Sequence, residues 1–406
     1  MDASGSTPRG MPPGFLPDAQ CAATLVLRPS EPTSDAWAQA LRALPAAAAV
    51  VTFEGDEGGT LLLGVTADAR AFASKRLTGD GEGGKGGVDL GEVVARVAVT
   101  PVGSAFEAEL VYLSLARRRM PRVYRQLMAR NGVSVVALDA TANIPEPVPL
   151  KLEEAGLHDA AWLLGPVETK SVTRLIDAVV DAFDLCRYPH ILRQAPRGIA
   201  CPYKEMGRCP APCDGSESLD VFRARVAAAV RAVGMSAEER EAGVRTAMKE
   251  AAMAARFEEA AALKKSLERL ETLDNVGPCV GTFAEFRHVV VTATGAADKS
   301  PRLSFWAGGR CMGLGSPDDM TPRLTELVST PVRPPSTPDE LEAVGAILRW
   351  AQERSGRRRV RVVRVRGAGD AIGVEAAVRA VRARRSAEDD SGMEEMEHRD
   401  GHDAAA

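Results

Sequence analysis

Residues 201–215 read CPYKEMGRCPAPCDG and contain three cysteines in a short, proline-rich stretch. With one cysteine upstream they make a cluster of four thiols: Cys186, Cys201, Cys209 and Cys213. In a reducing compartment such a cluster is typical of a metal site rather than of disulfides. Four thiolates can close a tetrahedral zinc site or hold an iron–sulfur cluster, and the spacing alone leaves that choice open.

The segment between these cysteines is rich in basic residues. Glu205 is the one acid among five cations, which are Arg187, Arg193, Arg197, Lys204 and Arg208. Positive charge close to a thiol lowers its pKa and favours the thiolate that binds metals. We therefore predict thiolates rather than thiols at this site.

The cysteine segment resembles that of the UvrC family of excinuclease subunits, which has the characteristic run PC-x-x-Y-x-x-x-x-C-x-x-PC-x-G. The preceding stretch LLGPVETKSVTRLIDAVVDAFDLC, residues 163–186, is similar to the family's FGPY segment and the helix after it. The resemblance implies a [4Fe–4S] cluster on the four cysteines, with zinc as the alternative. The gap after Cys186 is longer than in the family.

Residues 245–272, RTAMKEAAMAARFEEAAALKKSLERLET, predict a helical hairpin with small residues where two helices approach closely. We predict an apolar stripe of five residues: Met248, Ala252, Phe257, Ala261 and Leu267. The core F-E-x-A-A resembles the UVR motif of the same family, which implies docking onto a similar hairpin of the helicase subunit UvrB. The partner-binding residues would be Phe257, Glu258, Ala260, Ala261 and Lys264. From the pattern alone, the alternative is an alanine-rich helix in a bundle core.

Residues 44–64, LPAAAAVVTFEGDEGGTLLLG, predict a strand–turn–strand unit, and residues 104–122 predict a helix ending before Pro121. Both resemble the framework of the family's GIY-YIG endonuclease domain, which implies metal-assisted hydrolysis by two tyrosines, an arginine and a glutamate. The family's four catalytic positions hold Val51, Leu62, Phe72 and Tyr112. None supplies the required group, so we predict no cleavage and no divalent metal for nuclease activity.

A stripe of arginines closes this helix and could contact nucleic-acid phosphates: Arg117, Arg118, Arg119, Arg122 and Arg125. The alternative is a solvated helix end whose cations complement the macrodipole. A second basic run, residues 357–367, alternates arginine with valine. We predict an edge strand protected by charge there.

The chain of 406 residues is 45% apolar and 26% charged, with a formal net charge of −4. This net charge indicates no global field toward nucleic acid or membrane. No run of about 18 apolar residues is present, which argues against a membrane partner, and the first residues do not resemble a secretory signal. The expected location is the cytoplasm.

We predict an α+β multidomain chain: a small GIY-YIG-like α/β domain, a cysteine-cluster module, a UVR helical hairpin and a small C-terminal α/β unit. The predicted divisions are a disordered tail at 1–35, the GIY-YIG-like domain at 36–130, a linker and cysteine module at 131–216, helices at 217–275, the α/β unit at 276–385 and a disordered acidic tail at 386–406.

The predicted function is that of a non-catalytic accessory or regulator in nucleotide excision repair that binds a UvrB-like partner. Two alternatives stay open. One is a metal-plus-UVR adaptor that regulates another protein such as a kinase. The other is an active nuclease in which neighbours such as Glu107 or Glu109 replace the missing groups. The family's C-terminal RNase H-like and helix–hairpin–helix modules are not expected in residues 280–385.

Overall fold

The computed structural model describes residues 24–78, 90–277, 280–293, 301–352 and 360–383. An antiparallel sheet begins the fold, with strands β1 (Thr24–Leu27), β2 (Ala49–Glu54), β3 (Thr60–Thr66) and β4 (Arg96–Pro101) in the order β1-β4-β2-β3. Its helices are α1 (Ser34–Ala40), α2 (Ala69–Leu77), α3 (Ala105–Arg119) and α4 (Pro121–Arg130). The predicted strand–turn–strand unit and the helix before Pro121 are confirmed.

The prediction of a loose tail over residues 1–35 is wrong at its C-terminal end. Residues 24–27 pair with β4, with Val26 buried, and Ser34 already begins α1 behind the N-cap hydroxyl of Thr33. Sequence reasoning missed this strand because four residues carry too little alternation to signal it. The rest of that tail, residues 1–23, and the acidic tail from residue 386 lie outside the described residues.

A second, three-stranded antiparallel sheet occupies the stretch predicted as a linker. Its strands are β5 (Val133–Ala137), β6 (Val148–Lys151) and β7 (Leu163–Glu168), in the order β6-β5-β7. Helix α5 (Val172–Ala182) packs on this sheet through Leu175 and Val179, as its amphipathic pattern predicts. The short helix α6 (Pro189–Leu192) then leads into the cysteine loop.

Three helices follow the cysteines: α7 (Leu219–Gly234), α8 (Ala237–Met253) and α9 (Phe257–Asp274). Helix α8 begins with a capping box between Ser236 and Glu239. The chain reverses at Ala255, which has a φ of 56°, so α8 and α9 form the predicted hairpin. Its base packs on α5, because Leu270 and Leu273 share a core with that helix.

The C-terminal unit is an antiparallel sheet with helices. Its strands are β8 (Arg287–Ala293), β9 (Pro301–Ala307), β10 (Arg310–Gly315) and β11 (Val360–Arg364), in the order β10-β9-β8-β11. Its helices are α10 (Pro317–Met320), α11 (Leu324–Val328), α12 (Pro338–Gln352) and α13 (Ala371–Ala383). Strand β11 lies at the sheet edge, as predicted from its arginines, while residues 353–359 lie outside the described residues.

One hydrophobic core crosses the predicted unit boundaries. Phe106 of α3, Val135 of β5, Trp306 of β9 and Ile347 of α12 belong to the same buried cluster. The N-terminal sheet keeps its own cores on its two faces. Over the described ranges, no helix is both long and apolar enough to cross a membrane.

Candidate functional site

The four cysteines of the cluster are all free thiols, and three of them are buried. Cys186 follows α5, Cys201 and Cys209 bound a compact turn, and Cys213 lies in a 3-10 turn, Pro212–Asp214. The loop is held together by its backbone, since Gly198 N–H donates to the Cys213 carbonyl at 2.8 Å. Ala211 takes the left-handed conformation between two prolines, with a φ of 58°.

The thiols face one another closely enough to interact electrostatically. Burial raises the pKa of Cys186 to about 11, and the charges of the other three thiols raise it further. Burial likewise raises the pKa of Cys209 and of Cys213, each of which is coupled to Cys201. In the chain without metal, burial outweighs nearby positive charge at these three cysteines.

Carboxylates form ion pairs with most of the basic residues of the loop. Although burial opposes it, Arg187 and Arg208 lower the pKa of Asp181, to which both are bonded. Lys204 hydrogen-bonds Asp214 and lowers the pKa of that carboxyl to about 2. Of these three carboxylates only Asp214 lies in the cysteine segment; Asp181 and Glu146, which pairs with Arg193, come from other elements.

In the part of the chain that the structure describes, no three His, Cys, Asp or Glu side chains are grouped so that they could hold one metal ion. The choice between zinc and an iron–sulfur cluster therefore belongs to the proposal below.

Three of the four nuclease positions lie together on one face of the N-terminal sheet. Val51 and Phe72 are buried in the core between the sheet and α1 and α2, and Leu62 packs against it. The fourth, Tyr112, belongs to α3 and packs against the cluster on the opposite face of the sheet. The resemblance implied one site from these positions, and the structure does not bring them together.

Phe72, at the position that the resemblance assigns to the family's arginine, packs on the N-terminal sheet. A Cβ added to Gly64 would meet the Phe72 ring at 2.5 Å, so the ring lies directly on the β3 backbone. Its centroid is 6.0 Å from that of Phe53, and the guanidinium carbon of Arg76 lies 3.7 Å above the ring. This face is packed core and leaves no room for a phosphodiester.

The nearby carboxylates on α3 have structural partners. Glu107 accepts a hydrogen bond from Gly103 N–H at 2.6 Å, and burial raises its pKa. Glu109 accepts hydrogen bonds from Arg349 and from Trp350 Nε1, the latter at 2.6 Å. Both carboxylates are held by groups of their own chain, which does not favour the displaced-nuclease alternative.

The buried side of the helical hairpin differs from the apolar stripe that the sequence predicts. Leu267 is buried and Met248 half-buried, but Ala252, Phe257 and Ala261 are exposed. The buried seam instead uses Ala251 with the leucines of α9. Phe257 is 70% exposed and Met253 is 82% exposed, so the tip of the hairpin presents two large apolar side chains to solvent. Of the predicted partner-binding residues, Glu258, Ala261 and Lys264 are exposed and Ala260 is half-buried.

The arginines of the stripe differ in whether they form ion pairs within the chain. Arg117 bonds to Asp339 and lies 3.5 Å from Glu342, both on α12. Arg119 bonds to the buried carboxylate of Glu54. These two arginines are therefore structural, whereas Arg118 and Arg122 are exposed.

Sequence reasoning missed the carboxylates that receive these arginines. Glu54 ends β2, is 1% exposed and also binds Arg96 of β4. Glu342 is 2% exposed, and burial raises its pKa to about 7. One signal was available: residues 110–138 contain six arginines and no acid, so any partners had to come from elsewhere in the chain.

One stretch of the chain matches a known protein family. Residues 154–232, which span β7, α5, the four cysteines and most of α7, match the family model of the UvrC/Cho excinuclease middle domain. This match assigns to residues 154–232, and not to the whole chain, a similarity to that middle domain.

A curated relative supports the same assignment. The chain is 26% identical over 180 residues to UvrABC system protein C of Trichlorobacter lovleyi. The match covers 44% of this chain and 29% of the relative, so the chain spans under a third of that protein's length. No solved structure matches the chain significantly.

Proposed function

We propose that this chain is a non-catalytic, UvrC-like accessory or regulator of nucleotide excision repair that docks onto a UvrB-like partner through the α8–α9 hairpin. The observation that carries this proposal is Phe257. A phenylalanine that is 70% exposed at the start of α9 contributes little to its own fold. Large apolar residues grouped at a solvent-exposed tip mark a protein-interaction site.

The hairpin supplies a docking face of suitable shape. Phe257 and Ala261 are four residues apart and lie on one side of α9, with Lys264 one turn further along. The small side chain of Ala261 lets a partner helix approach closely, while Phe257 fills an apolar pocket on the partner. This is the helix-in-groove mode of recognition, in which few apolar anchors carry most of the affinity.

The residues of the N-terminal sheet support the proposed absence of catalysis. Val51 and Leu62 have no hydroxyl to assist proton transfer, and Phe72 has no guanidinium for the developing phosphoryl charge. Tyr112 offers a phenol where a metal needs a carboxylate, and it lies on the other face of the sheet. Removal of one preorganised group commonly costs on the order of a hundredfold or more in rate, so the loss of all four removes the activity.

The four cysteines would hold a [4Fe–4S] cluster in this proposal. Cys186, Cys201, Cys209 and Cys213 provide four thiols that influence one another electrostatically, in a segment held by backbone hydrogen bonds. When bound, such a cluster cross-links the loop and can exchange an electron. Because burial raises the pKa of Cys186, Cys209 and Cys213, these thiols would release protons as the cluster is assembled.

The test uses the full chain and purified UvrB. We expect the full chain to capture UvrB and the variant Phe257→Asp to lose capture, since a charge in an apolar contact is costly to desolvate. Together with UvrB, Mg²⁺ and a damaged duplex, the chain should not nick DNA above background. Failure of the full chain to capture UvrB would contradict the proposed docking and favour the adaptor alternative, and metal-dependent incision would establish the nuclease alternative.

A further inference from the structure

Helix α9 has one side that is exposed to solvent along more than two turns. Its buried leucines, Leu267, Leu270 and Leu273, lie on the opposite side. The exposed side, called here the α9 face, consists of five residues: Phe257, Glu258, Ala261, Lys264 and Lys265. Phe257 is the large apolar residue of this face and is 70% exposed. The α9 face therefore combines one apolar anchor with one acid and two cations.

The charges of the α9 face are not used within the chain. Arg256 and Glu259, at the start of the helix, bind each other at 3.0 Å. Over the described residues, no opposite charge lies within ion-pair distance of Glu258, Lys264 or Lys265. The acid therefore stands at one end of the face and the two cations about two turns further along, all of them exposed.

This arrangement is complementary to itself when two copies of α9 pack antiparallel. Around a two-fold axis, residue i contacts residue j of the other copy and j contacts i. With the axis beside Ala261, Glu258 lies opposite the partner's Lys265, and Lys265 lies opposite the partner's Glu258. Glu258 and Lys265 are seven residues apart, about two turns, so they share one flank of the face and can meet in both places.

Phe257 and Lys264 repeat this relationship on the other flank. They are also seven residues apart, so the ring of Phe257 lies opposite the partner's Lys264, whose ammonium can sit over the ring. Ala261 meets the partner's Ala261 at the centre, where two methyl groups let the helices approach closely. Each of the five residues of the α9 face is thus used once in each copy.

The position of the rest of the chain also favours the antiparallel arrangement. The end of α9 packs on α5 through Leu270 and Leu273, so the body of the chain lies beyond the base of the hairpin. An antiparallel overlap over residues 257–265, about 12 Å, places the two bodies at opposite ends. A parallel pair would bring the bodies together and set Glu258 against the partner's Glu258, where like charges repel.

We propose that two copies of this chain associate through their α9 faces as an antiparallel, two-fold pair centred on Ala261. One helix pair makes a small interface of the transient class, so we expect a dissociation constant in the micromolar range. A lipid surface fits the face less well, since an interfacial helix needs several large apolar residues on one side and Phe257 is the one here.

The pairing also regulates the docking function. The α9 face contains Phe257, which is the anchor assigned above to a UvrB-like partner, so a paired chain withholds its docking residue until the pair dissociates. This consequence rests on the proposed function, whereas the pairing itself does not.

The test is sedimentation velocity of the full chain across a series of micromolar concentrations at low ionic strength. The parent should form dimers as its concentration rises. Glu258→Lys and Lys265→Glu should each raise the dissociation constant by at least about tenfold, because like charges then face each other in both places. An equimolar mixture of these two variants should form a heterodimer as tight as the parent dimer, because both opposite-charge pairs are restored.

The matched control is Glu250→Lys, the same change at an exposed position of α8 outside the α9 face, which should dimerise as the parent does. Thermal unfolding checks that each variant is folded. The inference is overturned if the parent stays monomeric, if the control weakens the dimer as much, or if the mixture does not restore it. A monomeric parent that still captures UvrB would assign the face to UvrB alone. Failure of UvrB capture leaves this measurement unchanged, because the dimer is measured without UvrB.

Discussion

The Nε atom of Arg349 lies 2.7 Å from Oε1 of Glu109, so α12 and α3 are joined by side chains 240 residues apart in the chain. The second oxygen of the same carboxylate accepts from Trp350 Nε1 at 2.6 Å. This carboxylate connects the N-terminal unit to the C-terminal unit, and it is the residue a displaced nuclease site would have needed as a metal ligand.

We expect Glu109→Gln to lower the free energy of unfolding by about 1–3 kcal/mol, the usual cost of losing hydrogen bonds to a charged group. An amide presents one acceptor where two donors must be satisfied. Urea denaturation measures the change, and Arg349→Lys should cost less because the charge stays. If Mn²⁺ stabilised the parent and not Glu109→Gln, the carboxylate would be a metal ligand after all.

Glu342 gives the same interface a pH dependence. Burial raises its pKa to about 7, against an ordinary value of 4.5, so the folded state binds its proton more tightly than the unfolded state does. The groups facing it are Arg117, Arg118, Asp339 and Tyr124. Its contribution to stability is therefore greatest below pH 4.5 and is lost as the pH rises toward 7.

We expect Glu342→Gln to remove this pH dependence. Between pH 4.5 and pH 8, the free energy of unfolding of the variant should therefore rise relative to that of the parent by up to about 3 kcal/mol. Thermal unfolding at both pH values measures the difference. A difference between the two proteins that did not change with pH would mean that Arg117 keeps this carboxylate ionised throughout.

The cysteine cluster predicts a coloured protein. Chain purified under anaerobic conditions should absorb broadly in the visible range, and Cys209→Ser should abolish the absorption by removing one of four ligands. Cys311→Ser is the control, because that thiol is buried in the C-terminal unit outside the cluster. Colourless protein with one zinc per chain would reject iron and keep the four ligands.

Phe72 should behave as a core residue. We expect Phe72→Ala to lower the free energy of unfolding by about 3–5 kcal/mol, since it removes the ring that covers Gly64 and contacts Phe53. Chemical denaturation measures this cost. If the free energy of unfolding fell by less than about 1 kcal/mol, Phe72 would not be a core residue, and this face of the N-terminal sheet would be open to a ligand.

The hairpin offers a contrast between binding and folding. Phe257→Asp should abolish UvrB capture with unfolding unchanged, because the side chain is exposed. Leu270→Asp should destabilise the chain by several kcal/mol, because it buries a charge between α9 and α5. Isothermal titration and thermal unfolding separate the two effects. Equal loss of stability in both variants would place Phe257 in the core of this chain.

Much of this molecule could be read from local sequence alone. The strand pair around EGDEGG, the amphipathic α5, the break at Ala255 and the arginine-rich edge strand follow from spacing and turn residues, because these act over a few residues. The resemblance to the UvrC family likewise depends on a linear motif, and residues 154–232 match the middle-domain model.

Tertiary structure decided which charges and apolar residues are free. Arg117 and Arg119 look like Arg122 in the sequence, yet carboxylates 222 and 65 residues away bind the first two. Phe257 looked like a core residue by pattern and is exposed, because α9 turns its leucines toward α5 instead. Long-range pairing and the rotation of a helix about its axis depend on partners that no local pattern encodes, and these two choices separate the structural residues of this protein from those left to bind.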